Sequence, residues 1–139
     1  MAFAGINFLA ILIAAVAGFA FGAAYYMTLS RPWLASIGKT KEELAAAGKG
    51  SPVPFIVSII ALAIMAWTLA GIMGHLGAGQ VTVKNGVISA LFVWLGFVIT
   101  TQSVNYAFGQ RKPMLTVIDG IHWLGVLVIQ GAIIGAMGV

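Results

Sequence analysis

One acidic residue lies inside a long apolar stretch of the sequence, and its neighbours could do proton chemistry. Asp119 is followed three residues later by His122, and Gln130 comes eleven residues after Asp119. At about 3.6 residues per turn, these three side chains share one face of a helix. A carboxylate beside an imidazole can hold a proton, or it can join helices through hydrogen bonds. Two such ligands are too few for a transition-metal site, which takes three or four ligands.

Polar residues of other stretches are expected at the depth of Asp119. Asn105 and Thr101 lie one helical turn apart, and Asn105 is about as far from the loop at 109–113 as Asp119 is. Tyr25 and Tyr26 end the first apolar stretch, at a matching depth. The spacing therefore predicts one polar cluster with Gln130 further along its face. Its members are Tyr26 (or Tyr25), Thr101, Asn105, Asp119 and His122.

Three roles remain open for this cluster. It could fix the register of the helices, serve as a proton or small-solute site, or contact lipid headgroups or a partner protein. An ionisable group inside a membrane needs a partner or water, so Asp119 is expected to face the protein interior or an interface.

The sequence contains none of the common catalytic motifs. It has no Gly-x-Ser-x-Gly turn, no His-Glu-x-x-His run, no phosphate loop and no cysteine. These features predict a protein that is not an enzyme and has no cofactor. A membrane enzyme acting on a lipid or a quinone-like molecule is a weaker alternative, which the Trp, Tyr and His content permits and no spacing requires.

Four apolar stretches of about two dozen residues must position these side chains. Hydrophobic types make up 61% of the 139 residues and charged types 7%, whereas soluble domains carry about 25% charged residues. A 24-residue helix rises roughly 36 Å, enough to cross a bilayer core of about 30 Å. The stretches are Ile6–Leu29, Val53–Leu76, Asn85–Phe108 and Leu115–Gly138.

Short connections between these stretches favour neighbouring helices that run in opposite directions. The sequence therefore predicts an all-α, integral membrane, antiparallel four-helix bundle that forms a single domain and runs up-down-up-down in membrane lipid. In the first loop, Pro32 is expected to end the first helix. Thr40 followed by Glu43 matches a capping box and predicts a short helix closed by Gly48. Apolar residues spaced to form an amphipathic edge at the membrane surface are Trp33, Leu34 and Ile37.

Basic residues are distributed unevenly between the loops. Six of the seven lie in the first and third loops, and Lys84 alone lies near the second. Because short cytoplasmic loops are enriched in Lys and Arg, loops one and three are expected in the cytoplasm and both termini in the periplasm. This asymmetry accounts for the net charge of +4 without a nucleic-acid partner. The six residues are Arg31, Lys39, Lys41, Lys49, Arg111 and Lys112.

Glycines recur at four-residue steps on two of the stretches, as Gly18 and Gly22 and as Gly131 and Gly135. Small residues let helix backbones approach closely in lipid. The rows could pack within one bundle or against another subunit, and their number favours some association. The sequence thus predicts a packing or accessory subunit in a homo-oligomer or a larger membrane complex. The alternative is a small-solute or proton transporter, or a channel, that uses the polar cluster.

Short motifs along nearly the whole chain resemble one bacterial family, called domain of unknown function 1761. The resemblance implies a small four-span protein of the bacterial inner membrane with no assigned activity. The motifs are Ile6–Ala10, Gly22–Tyr26, Arg31–Leu34, Lys41–Leu44, Trp94–Phe97, Asn105–Phe108 and Ile118–Trp123. Single positions that match the family are Asn7, Trp33, Trp94, Asn105 and Asp119.

Overall fold

Helices joined by short turns make up the part of the chain that the computed structural model describes, residues 5–48 and 50–139. This confirms the all-α class. Lys49, which the sequence assigns to the first loop, lies outside the described residues. The helices are α1 (Phe8–Thr28), α2 (Ser30–Ile37), α3 (Lys41–Gly48), α4 (Val53–Gly74), α5 (Val83–Val93), α6 (Ile99–Phe108) and α7 (Pro113–Met137). A π-helical turn, Trp94–Val98, joins α5 to α6.

Among the described residues, four helices are long and apolar enough to cross a membrane. We call them the first span (α1), the second span (α4), the third span (Val83–Phe108) and the fourth span (α7). They overlap the four predicted stretches, with ends that differ by at most two residues. The fourth begins early because Pro113 occupies a first-turn position, where a missing backbone N–H is harmless. The third begins early because the Thr82 hydroxyl accepts a bond from the Asn85 backbone N–H, 3.2 Å away.

The first loop folds into two short helices. The expected capping box of α3 is confirmed, since the Thr40 N–H donates to Glu43 Oε2 at 2.9 Å and the Glu43 N–H donates to Thr40 Oγ1 at 3.1 Å. The expectation that Pro32 ends the first helix is wrong. That helix already ends at Thr28, and Pro32 lies in the first turn of α2, where proline is tolerated.

The fourth span is the centre of the structure. It contacts the first span, the second span and all parts of the third. Half of the residues in an apolar 18-residue stretch of this span are buried, compared with 11% in the corresponding stretch of the third span. Its inward face holds Val126, Leu127 and Ile134, each almost inaccessible. The third span packs mainly on the fourth, so much of its surface is uncovered.

Both glycine rows pack within the chain. A Cβ added at Gly131 would collide with the backbone of Gly86, and one added at Gly135 would collide with the Thr82 carbonyl. On the first span, a Cβ at Gly18 would come within 3.2 Å of the Leu62 side chain. These contacts bring the spans close together, as expected for small residues in lipid. They also occupy the faces that had suggested association with another subunit.

Candidate functional site

The carboxylate of Asp119 joins three of the four spans. Asp119 lies near the start of the fourth span and is 9% exposed. Its Oδ1 accepts a hydrogen bond from the Tyr26 hydroxyl of the first span at 2.7 Å. Its Oδ2 accepts one from the Tyr106 hydroxyl of the third span, also at 2.7 Å. Tyrosine hydroxyls, rather than a basic side chain, therefore satisfy this carboxylate.

Bonds to the backbone of the fourth span hold the surrounding helices in register. Tyr25, next to Tyr26 in the sequence, donates its hydroxyl to the Ile118 carbonyl at 2.6 Å. On the third span, Trp94 Nε1 donates to the Gly120 carbonyl at 2.8 Å, and Gln102 Nε2 donates to the Thr116 carbonyl at 3.0 Å. Side-chain donors thus reach the first turns of the fourth span from two sides.

His122 lies one turn after Asp119 and is 8% exposed. Its imidazole packs among aromatic rings, with ring centroids 4.8 Å from Tyr26 and 4.6 Å from Trp123. Gly22 makes room for it, since a Cβ there would lie 2.8 Å from His122 Nε2. Within the described residues, His122 Nδ1 is buried and has no hydrogen-bond partner. The imidazole is therefore beside the carboxylate but not paired with it.

Two residues expected in the cluster lie elsewhere. Asn105 is exposed, and the exposed Thr101 donates its hydroxyl to the carbonyls of Phe97 and Val98 on its own helix. The physical reason is the π-helical turn before them, which holds one more residue than an α-helical turn. The extra residue shifts every later position by one, so Tyr106 takes the direction that regular spacing gives to Asn105.

Gln130 follows the predicted face but bonds a different partner. It is fully buried, and its Nε2 donates to the Leu62 carbonyl of the second span at 3.0 Å. Its Oε1 has no partner among the described residues. The cluster near Asp119 therefore consists of Tyr26, Tyr106, Asp119 and His122, and Gln130 ties the second span to the fourth at a deeper level.

The sequence pattern does not predict Tyr106 at this site. Its place next to Asn105 in the sequence is only a weak indication of its role, because Tyr106 turns toward Asp119 only when a π-helical turn precedes it. Within residues 5–48 and 50–139, no group of three or more His, Asp or Glu side chains is placed to hold a metal ion. The cluster can hold a buried carboxylate, or pass a proton between carboxylate and phenol oxygens.

Fold and site together define a class of protein. The described residues form a small all-helical protein with four helices able to span a membrane, whose buried carboxylate is held by two tyrosine hydroxyls.

The chain belongs to the family described as protein of unknown function (DUF1761), whose model matches residues 9–135. This match confirms the family that the sequence motifs suggest. No curated protein and no solved structure matches the chain.

Proposed function

We propose that this protein is a non-enzymatic membrane protein that works as an oligomer of its own chain, with the third span at the contact between subunits. One observation carries the proposal: Asn105 is exposed on this span, and its side-chain amide has no partner among the described residues. An accessory role in a larger membrane complex would use the same face toward a different protein.

The polar groups of the third span support this choice. Thr100 and Thr101 satisfy their hydroxyls on carbonyls of the preceding turn. The exposed Asn105 side chain, in contrast, has no hydrogen-bond partner in the described part of the chain. An amide carries both donors and an acceptor, so Asn105 residues of two copies can bond each other. Such bonds between spans contribute about 0.6 kcal/mol on average, and up to about 1.7.

Cysteine cross-linking tests this contact directly, because the natural chain has no cysteine. Phe108→Cys places a thiol one turn from Asn105 at a side chain that is 87% exposed. Oxidation in membranes is expected to give a linked dimer. The matched control is Ile56→Cys, which is exposed near the start of the second span and should stay monomeric.

Adding Asn105→Leu to the Phe108→Cys variant should lower linking by about threefold to twentyfold while leaving the fold intact. Equal linking with and without Asn105 would overturn the proposal. The proposal would also be overturned if the chain stayed unlinked and co-purified with a different protein in a way that depends on Asn105.

The oligomer would lie in a bacterial inner membrane, its spans alternating in direction and loops one and three in the cytoplasm. Contacts at both ends of the helices support the alternating direction of the spans. At one end, Tyr26 and Tyr106, which finish their spans, meet Asp119 near the start of the fourth. At the other end, Asn7 before the first span donates its Nδ2 to the Met137 carbonyl at 3.1 Å.

Transport of protons or small solutes is the second candidate function. The observation in its favour is that Asp119, His122 and Gln130 are all buried on one face of the fourth span. Proteoliposomes containing a pH-sensitive dye would report proton flux for the wild-type protein and for Asp119→Asn. Transport predicts faster flux than in empty liposomes, reduced by the substitution, whereas equal flux in both proteins would exclude a role for Asp119.

A further inference from the structure

A cavity of about 310 Å³ opens between the first, second and fourth spans. None of its lining residues belongs to the third span, so it is separate from the proposed subunit contact. Its volume falls at the lower end of the range of small-molecule sites, roughly 300–1,000 Å³. Its walls combine aromatic rings with small residues, among them Phe19, Gly22, Phe55, Ser58, His122 and Trp123.

The polar groups of this cavity differ in what they still need. The Tyr26 hydroxyl is engaged with Asp119. Ser58 donates its hydroxyl to the Pro54 carbonyl at 2.7 Å, which leaves its oxygen free only as an acceptor. His122 is more than nine-tenths buried and lines the cavity, and its Nδ1 is inaccessible and has no partner among the described residues. Its Nε2 lies against Gly22, another residue of the cavity wall, and makes no hydrogen bond in the described part of the chain. Buried polar atoms rarely stay unpaired, so this imidazole points to a ligand with a hydrogen-bonding group.

We propose that the cavity binds a membrane-dissolved ring compound carrying a carbonyl oxygen, of the quinone class. Aromatic walls favour a flat ring through stacked or edge-to-face contacts. A carbonyl oxygen only accepts hydrogen bonds, and a neutral imidazole has one N–H to donate. Phe55 at the edge of the cavity is 61% exposed, and on a membrane-spanning helix such a side chain faces lipid. The ligand therefore enters from the bilayer. A ligand that is only an alkyl chain is disfavoured, because it would leave the His122 imidazole without a hydrogen-bond partner.

Binding is tested with the whole protein in phosphatidylcholine nanodiscs by titration calorimetry. The probe is a decyl-benzoquinone, and the comparison compound is decylbenzene, which has a similar ring and tail but no oxygen. The quinone should saturate one site per chain and bind at least about tenfold more tightly than decylbenzene. His122→Phe keeps an aromatic ring and removes the hydrogen-bond donor. Quinone affinity should therefore fall about tenfold, which corresponds to the loss of about 1.4 kcal/mol from one hydrogen bond.

A pair of neighbouring substitutions keeps the test informative if His122→Phe fails to fold. Ala23→Trp places a large ring at a residue that lines the cavity, whereas Ala24→Trp lies outside the lining. Ala23→Trp should abolish quinone binding and Ala24→Trp should leave it unchanged, with both proteins melting normally. The proposal is overturned if the quinone does not saturate a site, if decylbenzene binds equally, or if folded His122→Phe binds as the wild type does. Unchanged binding by Ala23→Trp would also overturn it.

Discussion

At the scale of single residues, the environment of Asp119 explains how a carboxylate persists inside an apolar protein. Both of its oxygens accept bonds from tyrosine hydroxyls at 2.7 Å, from two different spans. A phenol offers its hydroxyl at the end of a large apolar ring. The tyrosines can therefore supply polar partners to Asp119 while their rings pack against neighbouring helices.

Asp119→Leu is expected to lower the free energy of unfolding by about 1–3 kcal/mol, because each interhelical bond lost contributes about 0.6 to about 1.7 kcal/mol. Tyr26→Phe and Tyr106→Phe, each removing one hydroxyl, should each cause a smaller loss. Unfolding with increasing SDS in mixed micelles measures all three. The matched test is the double variant Asp119→Leu with Tyr26→Phe. It should be no less stable than Asp119→Leu alone, because the Tyr26 hydroxyl has already lost its acceptor in the single variant. An unchanged unfolding curve for Asp119→Leu would show that these bonds do not stabilise the fold.

At the scale of helices, close contact of the third and fourth spans depends on glycine at defined positions. A Cβ at Gly86 would collide with the Gly131 backbone, whereas a Cβ at Gly96 would have nothing within 4 Å. The two glycines lie on the same span, which makes them a matched pair. Gly86→Ala should lower the stability by about 1–3 kcal/mol, since backbones cannot give way as flexible side chains do.

Gly96→Ala should be neutral, or stabilising by up to about 1 kcal/mol, because alanine favours helix formation over glycine. Thermal unfolding in detergent, followed by helical circular dichroism, measures both variants. Equal melting temperatures for the two alanine variants would contradict the close approach of Gly86 and Gly131.

The helices show which features the sequence could predict. Long apolar runs gave the four spans, and the capping pair Thr40–Glu43 gave α3, because both signals are local. The depth of Asp119 pointed to Tyr26, whose hydroxyl bonds its carboxylate at 2.7 Å. The partner from the third span was wrong, since the π-helical turn at Trp94–Val98 replaces Asn105 with Tyr106. The turn contacts the fourth span, and no local sequence pattern announces it.

At the scale of the whole molecule, the charge asymmetry predicts how the protein lies in the membrane. Loops one and three carry six of the seven basic residues, and such loops stay in the cytoplasm. Lys41 and Ala78 are both exposed, on the first and second loops. Single cysteines at these positions are unique labels because the chain has none.

In intact bacterial cells, an impermeant thiol reagent should label Ala78→Cys and miss Lys41→Cys. After the inner membrane is opened, both variants should react, which shows that the cysteine at position 41 is accessible. The asymmetry gives the physical reason, since moving six positive charges across the bilayer is far less favourable than moving one. Labelling of Lys41→Cys from outside would reverse the orientation. It would place Asp119 and the mouth of the cavity in the outer half of the bilayer, where a ligand would arrive from the periplasmic leaflet.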